Sequence, residues 1–330
     1  MILAHVKWFS DFSYGDRPLR LGEAVTPLVI GLALFSAVVI AMLVLLDRRL
    51  ARTEGYVRIN RWLEERRDQS LTVLRIAAAA SLLLAWQAGI LLVPELEIGD
   101  GVIGWMQFLL VLLLLIPRTV PLAGAGLIAL YGAGLIYFGV FHMLDYLVYA
   151  GAGWMLLVSG FSSDRIRGTG IPALYLTVGF SLCWVALEKI IYPQWGLYVL
   201  QQHPQLAMGF DLRFFLVGAA FVELALGYLL IIGLLERPLA LTITLVFFTT
   251  TMIFGKTEVI GHTLIHGALI VFLLEGPGRV YRPPIHFHAR TGLRIAFAAV
   301  NFILLLALLL IPYALAAWSK YEAAAGAVTR

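Results

Sequence analysis

The chain has 330 residues, a mean hydropathy of +0.90 and only 13% charged residues, which exclude an ordinary soluble domain. Its net charge of +4 and isoelectric point of about 9.2 are of the kind found in nucleic-acid-binding proteins, but arginines beside apolar runs explain them better, so no nucleic-acid partner is expected. Its single cysteine, Cys183, excludes an internal disulfide. The composition predicts an all-α, polytopic membrane protein, so the expected partner is the lipid bilayer in which it is embedded.

Ten apolar runs, several of them short, are predicted as transmembrane helices. They are residues 24–46, 71–93, 101–117, 120–141, 143–160, 171–192, 212–235, 238–254, 259–275 and 295–317. Helices are expected because a helix satisfies its backbone hydrogen bonds internally, which lipid cannot do for it.

The distribution of arginine predicts the orientation of these spans. The loop at 47–70 carries seven arginines, which favours the cytoplasmic side. The loops at 94–100 and 193–211 contain neither lysine nor arginine and are expected on the outer side. An even number of spans then leaves both termini on the outer, periplasmic side of an inner (cytoplasmic) membrane.

Two similar stretches, FGVFHMLDY and FGKTEVIGHTLIH, indicate an internal repeat. With a four-residue gap after the FG pair of the first copy, His142 matches His262 and Tyr146 matches His266. An even number of spans in each copy makes the repeat parallel. The predicted organisation is an outer segment, first span and basic loop (1–70), a four-helix repeat (71–160), a second four-helix repeat (171–275), and a cytoplasmic loop, last span and tail (276–330).

Ionisable residues inside the spans concentrate in the second repeat. Glu258, His262 and His266 are four residues apart, so they share one face of a helix that descends from the outer interface. Glu188 lies near the outer end of its span, and Glu223 lies near the middle of the next. An ionised side chain at mid-membrane costs about 2.5–3.5 kcal/mol on insertion scales. These groups must therefore face each other or water, or take up protons, and they form the candidate functional site.

Further polar residues extend this candidate site. Lys189 and Lys256 lie beside its glutamates, and the first repeat contributes His142 and Asp145 at the outer interface. Together with Glu258, these four are the candidate ligand-binding residues. Simpler interpretations stay open: Lys256 and Glu258 can be solvated in an outer turn, the histidines can be neutral hydrogen-bonding groups, and the mid-span glutamate can clamp helices in its protonated form.

The remaining histidines carry weaker signals. His5, in HVKWF, is expected to be incidental within an outer interfacial segment that also contains Trp8. His286 and His288 form an HxH pair in a cytoplasmic loop, but two ligands without a third do not make a metal site.

The second repeat resembles the DoxX/DoxD-like family of four-helix integral membrane proteins. The resemblance rests on WVALEKIIYP, GFDLRFFLVGAAFVELALGYLL and FGKTEVIGHTLIHGALIVFLL, and it covers residues 171–275. It implies a link to respiratory chains, as a subunit of a thiosulfate:quinone oxidoreductase or quinol oxidase complex, or to periplasmic redox enzymes. The chain departs from the family in its duplication and in its extra first and last spans.

These observations favour a redox-associated membrane subunit that binds a quinone, or a partner of a redox complex, in an outward-facing polar pocket. In this hypothesis His262 and His266 contact the quinone headgroup, and Glu188 and Glu223 relay protons, because histidines and carboxylates can donate and accept protons at a carbonyl.

Three alternatives stay open. His142 and His262, from the two repeats, can together ligate haem b or copper. A parallel repeat with a polar interior is also compatible with a transporter of a small solute or of protons. The third alternative is a membrane scaffold that anchors a periplasmic partner.

Overall fold

The computed structural model describes residues 5–99, 101–276 and 283–328, so part of the predicted loop that begins at 276 lies outside the described residues. Within these ranges helices are the only regular secondary structure, apart from one isolated bridge between Ile90 and Glu97. Numbered in chain order, the helices are α1 (Leu21–Ala24), α2 (Pro27–Leu50), α3 (Glu54–Glu64), α4 (Ser70–Ala88), α5 (Gly101–Leu115), α6 (Val120–Phe138), α7 (Val140–Met143), α8 (Val148–Val158), α9 (Asp164–Arg167), α10 (Gly170–Ile191), α11 (Pro193–Gln202), α12 (Leu212–Ile232), α13 (Glu236–Phe254), α14 (Lys256–Glu275) and α15 (Thr291–Val328).

Eight helical stretches in the described part of the chain are long and apolar enough to cross a membrane. They are Pro27–Leu50, Arg67–Ala88, Pro117–Phe138, Asp164–Ile191, Leu212–Ile232, Glu236–Phe254, Lys256–Glu275 and Thr291–Gly326. Val140–Tyr146 and Val148–Val158, bent by 64°, make a ninth if they are one broken span. Gly101–Leu115 is apolar but shorter. The prediction of an all-α, multi-pass membrane protein is confirmed.

Several predicted boundaries were wrong for local reasons. The span predicted over 71–93 ends at Ala88, because Gly89 adopts a left-handed conformation (φ 70°) that closes the helix. The apolar residues that follow are buried in a loop over the end of the bundle. The loop predicted over 193–211 contains α11, and the basic loop contains the amphipathic helix α3.

The most buried spans are those of α10, α12 and α14. The buried share of their apolar stretch is 67%, 72% and 67% respectively. The corresponding share in α2 and α15 is 28%, which places these two helices at the periphery. The central helices carry the glutamates, lysine and histidines singled out by the sequence. Those polar groups therefore lie between helices, and lipid does not solvate them.

Small residues allow the central helices to cross closely. A Cβ atom added to Gly227 of α12 would lie 2.5 Å from the carbonyl oxygen of Gly179 in α10. Gly218, on the same helix, has open space around it. The α10–α12 contact therefore depends on glycine at position 227, as in membrane helix pairs with small residues at the interface.

Gly227→Ala and Gly218→Ala test this crossing on one helix. Alanine is favoured over glycine inside a helix by about 0.5–1 kcal/mol, so Gly218→Ala is expected to preserve or raise the unfolding temperature. Gly227→Ala is expected to lower it, because overpacking costs about 1–3 kcal/mol. Thermal unfolding in detergent measures both variants, and equal effects would contradict the close crossing.

Candidate functional site

Residues 5–19, the N-terminal segment, fold over one end of the helix bundle. The backbone N–H of Leu19 donates to the carbonyl of Ile191 at 2.8 Å, which fixes the segment to the end of α10. The ring of Trp8 fills the space beside Gly261 of α14, where an added Cβ atom would lie 1.9 Å from the indole. We call this end of the bundle the N-terminal face. Glycine at 261 is what allows the tryptophan to insert between the helices.

The N-terminal segment places one lysine between two carboxylates. The Lys7 ammonium donates a hydrogen bond to Asp145 Oδ2 and lies 2.8 Å from Glu188 Oε2. All three side chains are 1% exposed. Burial opposes protonation of the lysine, but the two carboxylates raise the pKa of Lys7 well above its usual value. Three distant parts of the chain thus meet at one buried positive charge.

A second buried pair lies beside the first. The Lys189 ammonium donates to Glu223 Oε2 at 2.7 Å, and neither side chain is more than 3% exposed. Adjacent residues of a helix point about 100° apart, which is why Lys189 turns to α12 while Glu188 turns to the N-terminal segment. Each ionisable group of this dipeptide therefore has its own partner of opposite charge.

The stripe on α14 begins with a buried carboxylate. Thr250 Oγ1 donates to Glu258 Oε2 at 2.7 Å, and His262 Nδ1 lies 2.8 Å from the same oxygen. The imidazole stacks on Phe247 with ring centroids 4.3 Å apart. The alternative in which Glu258 is solvated in an outer turn was wrong, because α14 begins at Lys256 and turns Glu258 towards α13.

The loop at 89–99 contributes a carboxylate that the sequence did not single out. His142 Nε2 and the hydroxyl of Tyr146 both contact Glu95 Oε1. Trp8 Nε1 donates to the same tyrosine hydroxyl at 3.1 Å. Burial opposes ionisation of Glu95, but His142, Lys7 and Tyr146 lower its pKa below the usual value. The carboxylate is therefore the ionised acceptor of this group.

His5 connects the two halves of the N-terminal face. Its ring stacks on Trp8 at 4.4 Å and on Tyr146 at 5.1 Å, and lies 5.9 Å from the ring of His262. Burial, and then the nearby His262, lower the pKa of His5 well below its usual value, so the imidazole is neutral at pH 7. The expectation that His5 is incidental was wrong.

Nine ionisable side chains form what we call the buried charge cluster. Its members are Lys7, Glu95, His142, Asp145, Glu188, Lys189, Glu223, Glu258 and His262. The cluster contains five carboxylates and two lysines. Even with both of its histidines protonated, negative charges outnumber positive ones by one. Buried unbalanced charge is costly, so the cluster favours uptake of a further proton or cation.

Unpartnered atoms mark where that proton or cation can reside. Among the described residues, Glu188 Oε1, Asp145 Oδ1, Glu258 Oε1 and Glu95 Oε2 have no hydrogen-bond partner. Glu188 Oε2 faces only the Lys7 ammonium, at 2.8 Å, which Asp145 shares. Lys320 approaches from α15 but is half-buried, sits 4.9 Å over the ring of Tyr14, and pairs with none of these carboxylates in the described ranges. The shortage of hydrogen-bond donors is greatest at Asp145 and Glu188, because these two carboxylates share one ammonium.

The structure brings together most of the predicted site residues but not all of them. Lys256 is exposed at the start of α14 and contacts no member of the cluster among the described residues. His266 is half-buried against Phe248, at a ring distance of 5.2 Å. The charged side chains are buried, and the N-terminal segment contributes to the site together with both halves of the chain. The expected outward-facing pocket is not open at these side chains.

The predicted pairing of His142 with His262 at a metal is not what the geometry favours. Each histidine faces a carboxylate of its own, Glu95 for the first and Glu258 for the second. The described part of the chain contains no group of three or more His, Cys, Asp or Glu side chains arranged to hold a metal ion.

Comparisons with protein-family models, with curated proteins and with solved structures find no match to this chain. The resemblance to the DoxX/DoxD-like family therefore stays a prediction.

Lys7→Met tests the electrostatic role of the N-terminal segment. Without the ammonium, Asp145 and Glu188 are two buried carboxylates with no shared cation. Removing one partner of a buried ion pair lowers the free energy of unfolding by about 3–5 kcal/mol, and this loss is expected at alkaline pH. The difference in free energy of unfolding between Lys7→Met and the wild type is expected to shrink as the pH falls. The reason is that the native variant then binds more protons than its unfolded chain. Thermal unfolding at alkaline and mildly acidic pH measures this change.

The matched control is Lys256→Met, which removes an exposed lysine and is expected to leave the stability within about 0.5 kcal/mol of wild type at both pH values. A Lys7→Met variant with the same small effect would contradict the assigned pairing.

Proposed function

We propose that this protein is an integral membrane protein that exchanges protons through the buried charge cluster, in support of a membrane redox reaction with a quinone. The observation that supports the proton part is the excess of buried carboxylates over cations in the cluster. Glu188 is the exchanging group in this proposal, because it shares the ammonium of Lys7 with Asp145 and its Oε1 has no hydrogen-bond partner among the described residues.

A proton path to the N-terminal face is proposed through the groups around His5. Neutral imidazole accepts a proton at one nitrogen and donates from the other, so it relays protons between neighbours. His5 Nδ1 is buried and has no hydrogen-bond partner among the described residues. The ring lies between Tyr146, which belongs to the first half of the chain, and His262, which belongs to the second.

Quinones are the proposed redox partner because their reduction consumes protons and their oxidation releases them. This part rests on the resemblance of residues 171–275 to a family linked to quinone-dependent complexes. Of the two proposed headgroup ligands, His262 lies within the aromatic surroundings of Trp8 and Phe247, with centroids at 4.9 and 4.3 Å. His266 lies on the half-buried side of α14.

We infer that the chain has ten spans, counting α5 and the broken pair at 140–158 with the eight long helices. The end of α15 lies beside the N-terminal segment, since Trp318 Nε1 donates to the carbonyl of Leu19 at 3.3 Å. Two ends of the described chain on the same face support an even number of membrane spans. From the arginine-rich segment 47–70 we propose that the opposite face is cytoplasmic and that the cluster lies towards the periplasmic side of an inner membrane.

The proposed parallel repeat is supported by reciprocal helix contacts. A Cβ on Gly151 of α8 would lie 1.9 Å from Thr177 Oγ1 in α10, and a Cβ on Gly267 of α14 would lie 2.1 Å from Ala77 Cβ in α4. The last helix of each half thus packs on the first helix of the other, as two copies related by a pseudo-two-fold axis would. Both glycines stand twelve residues after the glycine of their FG pair.

This register needs no gap and differs from the one predicted from the sequence. It aligns His142 with Glu258 and Tyr146 with His262. Equivalent positions then flank the same residue of the N-terminal segment, because Trp8 contacts both the tyrosine hydroxyl and the His262 ring.

Proton-coupled transport is the second candidate, and the same excess of buried carboxylates favours it. A protonatable cluster near one face of a repeat protein is the arrangement that such transporters use. Haem or copper binding and a scaffold role stay predictions from the sequence, without a supporting contact among the described residues.

Glu188→Gln tests the redox form of the proposal. Purified protein in weak buffer is mixed with a short-chain quinone or with its quinol, with no electron donor or acceptor present. A pH dye then follows the proton that Glu188 takes up or releases when the headgroup binds. We expect about one proton per wild-type molecule, because Glu188 is the one exchanging group of the proposal. Glu188→Gln is expected to abolish this exchange.

The matched control is Glu54→Gln, which changes an exposed carboxylate at the start of α3 and is expected to behave as wild type. Wild-type protein that exchanges no proton with either form of the quinone would rule out the quinone partner. Proteoliposomes under an imposed pH gradient test the transport candidate, which predicts a proton flux that Glu188→Gln removes.

A further inference from the structure

A groove away from the charge cluster lies between the start of α1 and the last helix, α15. Its cavity of about 310 Å³ runs along α15 beside α1. The lining residues are Arg20, Leu21, Ile311, Ala314, Leu315, Trp318 and Glu322. Leu21 and Leu315 are 38% and 68% exposed, so the apolar part of the groove is open to the surroundings of the bundle. For a membrane-spanning helix these surroundings are lipid.

One end of the groove carries an arginine held against a tryptophan. The guanidinium of Arg20 lies 5.1 Å from the centroid of the Trp318 ring, and the indole N–H donates to the carbonyl of Leu19. Arg17 lies 5.6 Å from the same ring but is paired with Glu23 at 2.8 Å. Glu23 also accepts from the backbone N–H of Arg20 at 2.8 Å. The Arg20 guanidinium itself forms no ion pair among the described side chains, so its planar N–H groups are available to an anion.

The same end of the groove carries a carboxylate. Glu322 follows Trp318 by one helical turn and forms no ion pair within the described ranges. The nearby Lys320 is directed to the ring of Tyr14. Arg20 and Glu322 thus present opposite charges above an apolar slot without neutralising each other in a direct ion pair.

We propose that this groove binds a phospholipid whose headgroup has both a phosphate and a primary amine, the chemistry of phosphatidylethanolamine. Arg20 holds the phosphate, Glu322 accepts hydrogen bonds from the ammonium, and an acyl chain runs along Leu21, Ile311 and Leu315. Trp318 directly follows the predicted span 295–317, and tryptophan and arginine at the end of a span lie at the depth of lipid headgroups, which matches this placement.

The charges in the groove select this headgroup over the two common alternatives. A phosphatidylglycerol headgroup supplies the phosphate but has no cation, so it leaves Glu322 unpaired beside a second negative charge. A phosphatidylcholine headgroup has a cation without N–H donors, so it cannot donate a hydrogen bond to the carboxylate. The preference for the primary amine is therefore assigned to Glu322, and binding of any phospholipid is assigned to Arg20.

Native mass spectrometry of the full chain with defined lipids tests the proposal. The wild type is expected to retain phosphatidylethanolamine about tenfold better than phosphatidylglycerol or phosphatidylcholine, since a hydrogen bond to a charged group discriminates on that scale. Glu322→Gln is expected to remove the preference while lipid is still bound. Arg20→Gln is expected to weaken the retention of all three lipids.

Arg118→Gln and Glu65→Gln, which change exposed charges at the opposite face, are the matched controls and are expected to behave as wild type. Equal unfolding temperatures of the variants exclude misfolding. A Glu322→Gln protein that keeps the preference, or an Arg20→Gln protein that keeps full retention, would overturn the proposal. Inorganic phosphate is expected not to displace the lipid, because it leaves the apolar slot empty; displacement would overturn the lipid assignment.

Discussion

A single buried ammonium ion holds the N-terminal face together. Lys7 lies between Asp145 and Glu188, so the first segment of the chain, the break before α8 and the end of α10 depend on one charge. Two carboxylates that share one cation among apolar helices cannot both stay ionised at low cost. The stability of this face and its capacity to exchange protons therefore have the same physical origin.

Hydropathy predicted the fold class because lipid imposes a long apolar helix on every crossing. It failed where apolar residues serve another purpose. Leu91 and Leu92 extend an apolar run, yet they lie beyond the helix stop at Gly89 and are buried in the loop that carries Glu95. Hydropathy measures the tendency to leave water and does not distinguish a helix in lipid from a loop packed under its own chain.

The site was predictable where charges stand inside apolar helices, as with Glu188, Glu223 and His262. It was not predictable where the partner comes from a distant segment, because Lys7 and Asp145 are 138 residues apart and nothing in HVKWF distinguishes a buried lysine from a solvated one. Gly261 was the available signal, since a glycine one residue before a histidine can mark the place where a large ring inserts.

Infrared difference spectroscopy between acidic and alkaline pH tests the central claim, which is that the buried charge cluster holds an exchangeable proton on Glu188. The carbonyl stretch of a protonated carboxylic acid in an apolar site is resolved from those of carboxylates and solvated acids. The account predicts such a band in the wild type, its loss as the pH rises, and its absence in Glu188→Gln. A wild-type spectrum without the band, or one unchanged by the substitution, would contradict the account.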